Sequence, residues 1–132
     1  MEGFTFVHRE AVRFSDLDGM GHVNNAVFST YLEQARLAWF VANELGTDEE
    51  MALRDVILAR TEIDFRSPLQ YGETVEIGVR PSRLGTKSFE LEHALHSDGR
   101  VVAEAKCVLV GYDYERAQSA PIPERWRRRL SG

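Results

Sequence analysis

The sequence predicts an α+β domain in which a curved antiparallel sheet of about five strands wraps round one long helix. Two patterns carry that prediction. From Phe28 to Leu45 apolar residues recur at three- and four-residue steps, and after Val56 they alternate with polar residues in successive segments broken by turn signals. A chain of 132 residues holds one core of this kind, so a single domain over 1–132 is expected.

The first strand is read from Phe4, Phe6, Val12 and Phe14, interleaved with polar residues at the two-residue period of half-buried β structure, and it ends at loop 15–21. The helix then gathers Phe28, Tyr31, Leu32, Ala35, Ala38, Trp39, Ala42 and Leu45 on one face. Asn24 or Asn25 can cap its start and Gly46 can end it, giving about five turns at ~3.6 residues each. Segments 56–65, 73–83, 87–97 and 100–113 read as strands, divided by Ser67-Pro68, Leu84-Gly85 and Ser97-Asp98-Gly99. Asp98-Gly99 marks a tight hairpin, because a type I′ turn needs positive φ at both central positions. An open sheet leaves two edges, and covering one with a second copy predicts a homodimer or homotetramer. Residues 124–130, with Arg125, Arg127, Arg128 and Arg129, read as a short terminal helix or tail.

Hydrophobic residues make up 43% and charged residues 28%, the balance of a globular protein. The net charge of −5 argues against nucleic-acid binding, although a local basic cluster can still hold one anionic ligand. Cys107 is the one cysteine, so no internal disulfide forms, and a cytoplasmic location is expected. The first ten residues lack the apolar stretch of a signal peptide, and no run approaches the roughly 20 apolar residues of a membrane span.

Chemistry concentrates in residues 13–25, RFSDLDGMGHVNN, where two carboxylates, an imidazole, two carboxamides and two glycines meet at a strand-to-helix junction. A helix start leaves N–H groups without partners and carries a partial positive charge, so it can polarise a carbonyl. A carboxylate beside it, such as Asp18, can attack the carbonyl carbon or deprotonate a water that does. A thiolate, with a pKa near ~8.5, leaves without strong acid assistance, which suits this sparse kit to an activated ester and not to a peptide. The residues alone leave a plainer reading open. Asp16 and Asp18 can cap the loop, His22 can be a satisfied junction histidine, and Asn24 and Asn25 can cap the helix. Calcium is rejected, since an EF-hand register begun at Asp16 puts Met20 and Val27 where oxygen ligands are needed. Zinc is rejected because Cys107, His93 and His96 have no ligand spacing that joins them to His22. No metal or cofactor is therefore expected. A G-x-S-x-G elbow and a nucleotide-binding loop are both missing, and Cys107 within the apolar run Val108, Leu109, Val110 reads as a buried structural thiol.

The segment RFSDLDGMGHVNNAVFSTYLEQAR resembles the signature of the 4-hydroxybenzoyl-CoA thioesterase and acyl-CoA thioesterase family of hotdog proteins. DFRSPLQYGETVEI and RLGTKSFELEH are similar to that family's second strand with its connection and to its central hairpin, so the resemblance covers nearly the whole chain. It implies a hotdog fold and hydrolysis of an acyl-CoA, with Asp18 as the catalytic carboxylate, Asp16 in support, and the backbone N–H of Asn25 as the carbonyl donor. His22 is similar to a histidine of the plant acyl-ACP thioesterases, but their neighbouring asparagine is Met20 here, which favours Asp18 as the main player. The resemblance also implies coenzyme A binding by Arg83, Lys87 and Ser88 at the central hairpin, with Arg66 and the basic tail as weaker candidates. The acyl group is expected along the helix face and the partner subunit, against Phe28, Tyr31 and Phe65. Rival expectations are a non-catalytic acyl-CoA or acyl-carrier binding protein, an acyl-ACP thioesterase and, among other hotdog enzymes, an enoyl hydratase.

Overall fold

The computed structural model describes residues 1–46 and 51–131. Strand β1 (Phe6–Ala11) leads to helix α1 (Val27–Ala42), then to β2 (Val56–Phe65), β3 (Thr74–Leu84), β4 (Ser88–Ser97) and β5 (Arg100–Asp113). A two-residue strand β6 (Gln118–Ser119) and helix α2 (Glu124–Ser131) close the chain. The strands form one antiparallel sheet in the order β1-β3-β4-β5-β2, with β6 extending the end of β5. β1 and β2 are thus the two edges of that main run, and α1 carries the chain from one edge to the other.

Alternation along β4 explains the single buried face. Phe89, Leu91, His93, Leu95 and Ser97 are buried, and every residue between them is half-exposed. On α1 the inward stripe is Phe28, Tyr31, Leu32, Ala35, Arg36, Trp39 and Phe40, each large apolar member contributing roughly 1.5–3 kcal/mol by its removal from water. α1 comes closest to β1 and β3, and α2 comes closest to β3. The inner face beside β2 is left with open space, which positions the site described below. Trp126 of α2 is fully buried, its ring 5.4 Å from Phe40 and 6.1 Å from Phe89. Glu124 in the first turn of α2 and Arg128 and Arg129 in the last oppose the helix dipole favourably.

The Asp98-Gly99 hairpin forms as expected, with φ of 50° and 73° at its two central residues. Three local expectations are corrected. β1 stops at Ala11, and Phe14 lies in a single 3-10 turn, 75% exposed, with its ring edge-on to Tyr71. α1 ends at Ala42 and not at Gly46, because Glu44 takes the left-handed conformation at φ 58° and the Leu45 N–H turns back to the Phe40 carbonyl. Gly46 is needed for another reason: at φ 85° it packs so tightly on the Leu53 side chain that a Cβ would lie 2.4 Å from it. Among the described residues no helix is long and apolar enough to cross a membrane.

Candidate active site

Two loops, 12–25 and 66–73, come together at the start of α1. The Val12 N–H donates to the Glu73 carbonyl at 3.0 Å, and the Val23 N–H donates to the Leu69 carbonyl at 2.8 Å. Glu73 then anchors the second loop. Its carboxylate receives both terminal nitrogens of Arg100 at 2.7 and 3.0 Å, the Ser97 hydroxyl at 2.8 Å and the Gln70 N–H at 2.8 Å. The Arg100 hydrogen bonds, followed by the Gln70 and Ser97 bonds, outweigh burial and hold the Glu73 carboxyl down to about 2. Arg100 also donates to the Pro68 carbonyl at 2.7 Å, so one guanidinium fixes both ends of this wall.

Asp16 and Asp18, two residues apart, receive opposite environments. Asp16 is 3% exposed and accepts the Tyr31 hydroxyl at 2.7 Å and the Arg13 N–H at 2.9 Å, while the Arg13 guanidinium lies 3.2 Å away. Burial pushes its carboxyl up, but those three partners together outweigh it and leave the carboxyl below its ordinary value. Asp16 is a structural tie between the loop and α1. Asp18 is exposed, and one of its oxygens accepts the Met20 N–H at 2.8 Å. Its other oxygen has no partner among the described residues. Gly21, at φ 80°, supplies the left-handed step that turns the loop back beneath Asp18.

The helix start separates its amides in the same way. Asn24 Oδ1 accepts the Ala26 N–H, and the Val27, Phe28 and Ser29 N–H groups donate to the carbonyls of Asn24, Asn25 and Ala26. The Asn24 N–H donates to the Asp16 carbonyl at 3.0 Å. Between Val23 and Ser29, only the Asn25 N–H has no acceptor among the described residues. Neither asparagine is the helix cap expected from the sequence: the N-cap of α1 is Ala26, without a side-chain cap bond, and Asn24 instead closes a turn onto the Ala26 N–H just before the helix.

Asp18, His22 and Asn25 line one cleft of about 460 Å³, together with Phe28, Phe65 and Arg66. The Phe28 ring is buried and meets the half-exposed Phe65 ring edge-on at 5.2 Å, forming an apolar wall. Tyr31 is committed to Asp16 and does not reach the cleft. A carboxylate with a free oxygen, an unpaired amide and an imidazole around an open apolar-walled space can activate water, or attack directly, at a polarised carbonyl.

Arg83, Lys87 and Ser88 are not brought to this cleft within one chain. Ser88 lies opposite Val110, and Val110 lies opposite Ile57, at the far end of β2 from Phe65. At ~3.3 Å per residue that end is roughly 26 Å from the cleft. Arg66 is the cation that does line it, and it is held 3.9 Å from Glu104. Its position after Phe65 on the edge strand was the available signal, but the Ser67-Pro68 that follows makes the segment look like a mere spacer. Cys107 is fully buried, with its thiol pushed up chiefly by burial. Among the described residues no three His, Cys, Asp or Glu side chains gather as a metal site.

The sequence profile of the thioesterase-like superfamily matches residues 12–130. A thioesterase from Thermus thermophilus, solved as a complex with coenzyme A and Zn, is 38% identical with a TM-score of 0.85 over 98% of this chain and 94% of that one. The 1,4-dihydroxy-2-naphthoyl-CoA hydrolase of Synechococcus elongatus is 29% identical over 122 residues, 89% of this chain and 88% of that protein. YsmA of Bacillus subtilis is 27% identical over 90 residues, and the match spans 68% of this chain and 60% of YsmA. With a curled antiparallel sheet around one helix and a family match over most of its length, the chain belongs to the thioesterase-like superfamily and has the hotdog fold of its thioesterases.

Proposed function

We propose that this chain, as one hotdog domain, hydrolyses an acyl-CoA thioester to the free acid and coenzyme A. The observation that carries this reading is the pairing, in one cleft, of an Asp18 oxygen and an Asn25 N–H that have no partners among the described residues. The thioester carbonyl oxygen accepts the Asn25 N–H, a donor placement commonly worth about 3 to 4 kcal/mol as charge develops. Asp18 takes a proton from a water whose oxygen attacks the carbon, or attacks the carbon itself to give an acyl–Asp18 anhydride that water then hydrolyses. On either route the C–S bond breaks, the electron pair leaves with the coenzyme A sulfur as thiolate, and the proton taken from water returns to the products. His22 lies beside the reacting atoms, and Met20 in the position of the plant enzymes' asparagine leaves the main step to Asp18.

The acyl group lies between Phe28 and Phe65. Substrates of the 4-hydroxybenzoyl-CoA type suit this wall, in line with the hydroxylated aryl-CoA named for the Synechococcus relative. Arg83, Lys87 and Ser88 serve the coenzyme A phosphates across a homodimer. If the β2 edges of two copies pair antiparallel about a two-fold axis, the Ile57 end of one β2 lies beside the Phe65 end of the other. The partner's hairpin is then carried toward the cleft that its own chain keeps it away from. The unpaired ten-residue edge β2 supports this pairing. A single buried free cysteine suits a cytoplasmic enzyme.

The test is thiol release from a panel of acyl-CoAs and acyl carrier proteins, with sedimentation to measure the assembly. Turnover of acyl-CoA supports the reading. Saturable binding without thiol release would make the protein a carrier, and turnover confined to the carrier-protein substrates would make it an acyl-ACP thioesterase.

A further inference from the structure

Arg36 is 6% exposed in the middle of α1, yet among the described residues it forms no ion pair. Its one hydrogen bond runs from a terminal nitrogen to the Cys107 sulfur at 3.4 Å. The exposed Glu33, one turn earlier, lines the same cavity but makes no ion pair with Arg36 among the described residues. Burial keeps the Cys107 thiol protonated, and burial first, with Arg36 second, pushes His93 down to about 4, so that imidazole is neutral. His93 Nδ1 sits 3.2 Å from the Gly78 carbonyl, and its buried Nε2 has no partner. A buried guanidinium without an ion-pair partner is costly, since charges in protein interiors are normally paired.

Arg36 also lines a cavity of about 280 Å³ between α1, β2 and β5, whose other walls include Glu33, Leu37, Phe40, Val56, Leu58 and Leu109. This cavity and the catalytic cleft lie on the same side of α1 and along the same strand: Phe28 and Phe65 bound the cleft, and Arg36, Val56 and Leu58 bound the cavity. Phe28 and Arg36 are roughly 12 Å apart along the helix at ~1.5 Å per residue. Side chains lean toward the helix N-terminus, which brings the guanidinium nearer the cleft.

We propose that Arg36 determines acyl specificity by binding an oxygen acceptor at the end of the acyl group remote from the thioester. This inference rests on the thioesterase reading above. A medium-length acyl group entering between Phe28 and Phe65 runs between α1 and β2 and presents its far end to the Arg36 donors. A carboxylate or a phenolic oxygen supplies the same acceptor chemistry, and the two are separable by substrate choice.

The experiment compares kcat/KM for matched substrates, adipoyl- against hexanoyl-CoA and 4-hydroxybenzoyl- against benzoyl-CoA, in wild type and in Arg36→Met. Wild type should prefer the oxygen-bearing member of at least one pair by roughly tenfold or more, and the pair that responds identifies the source of the oxygen. Arg36→Met should level that preference while keeping turnover of the apolar substrates. Its Tm should hold or rise, because an isosteric apolar side chain replaces an unpaired buried cation. Hydrolysis by wild type with no preference in either pair overturns the role of Arg36 and leaves the thioesterase reading standing, and this arm does not depend on the variant folding. A preference that survives Arg36→Met, or a variant whose Tm falls and whose dimer dissociates, overturns it too. Failure of wild type to hydrolyse any thioester overturns the functional reading itself.

Discussion

At the C-terminal end of α1, Phe40 meets Phe89 and Trp126 with ring centroids 6.2 and 5.4 Å apart, and the last turn is closed by Asn43, whose side chain donates to the Trp39 carbonyl at 2.8 Å. At the N-terminal end the same helix opens on a cleft where an Asp18 oxygen, the His22 ring and the Asn25 N–H have no protein partners among the described residues. One end converts apolar area into stability, and the other keeps polar groups available to a ligand. The contrast teaches that the stability of this helix does not depend on its reactive end, so that end can hold unpaired groups.

The sharpest way to test this division is Asp18→Asn. It should lower kcat by about 10²–10⁴-fold, the usual weight of a general base, while the unfolding midpoint stays near that of wild type. Full turnover by this variant would remove Asp18 from the mechanism. Trp126→Ala should do the reverse, costing roughly 3–5 kcal/mol in urea unfolding and leaving the rate per folded molecule nearly unchanged. A large fall in that rate would mean that the two ends are coupled through α1.

Asp16→Asn cuts across the division, because Asp16 ties the reactive loop to the helix core through Tyr31. The neutral side chain weakens its bonds to the Tyr31 hydroxyl and the Arg13 N–H, and the expected loss is about 1–3 kcal/mol, accompanied by a partial fall in kcat as Asp18 loses its support. Smallest is the effect of the Glu73 anchor, of order 1 kcal/mol once the partial exposure of Arg100 is discounted. Since Glu73 is held at about 2 against an ordinary 4.5, its contribution is fully present above pH 4.5 and is lost as pH falls through about 2. Glu73→Gln has no such charge to lose. Its deficit in urea unfolding relative to wild type should be largest near neutral pH and should close on acidification; a constant gap would show that Glu73 contributes through shape alone.

Much of the architecture was legible in local pattern, because hydrophobic period and turn chemistry are properties of neighbours in the chain. The alternation from Ser88 to Ser97, the Asp98-Gly99 turn and the helical stripe from Phe28 to Trp39 each predicted the element that forms. The crowded polar segment at 13–25 likewise marked where a site was to be sought. Phe14 and Gly46 misled: Phe14 continued a strand alternation, but the chain has already turned there, and glycine at a helix end looks alike whether it stops the helix or makes room for Leu53.

Tertiary structure alone decided how identical residue types divide their roles. Asp16 and Asp18 are the same acid two positions apart, and only the arrival of Tyr31 from one turn inside α1 makes the first a buried tie and leaves the second facing the cleft. Arg66 lines the cleft while Arg83 and Lys87 lie at the other end of the sheet, since strand register, and not distance along the chain, sets which cations share a surface. Arg36 interrupts the apolar stripe and would be assigned to solvent by its charge, yet packing turns it inward. Local sequence determines which backbone each segment adopts, but the burial of a charge depends on what covers it, and the covering atoms come from remote strands.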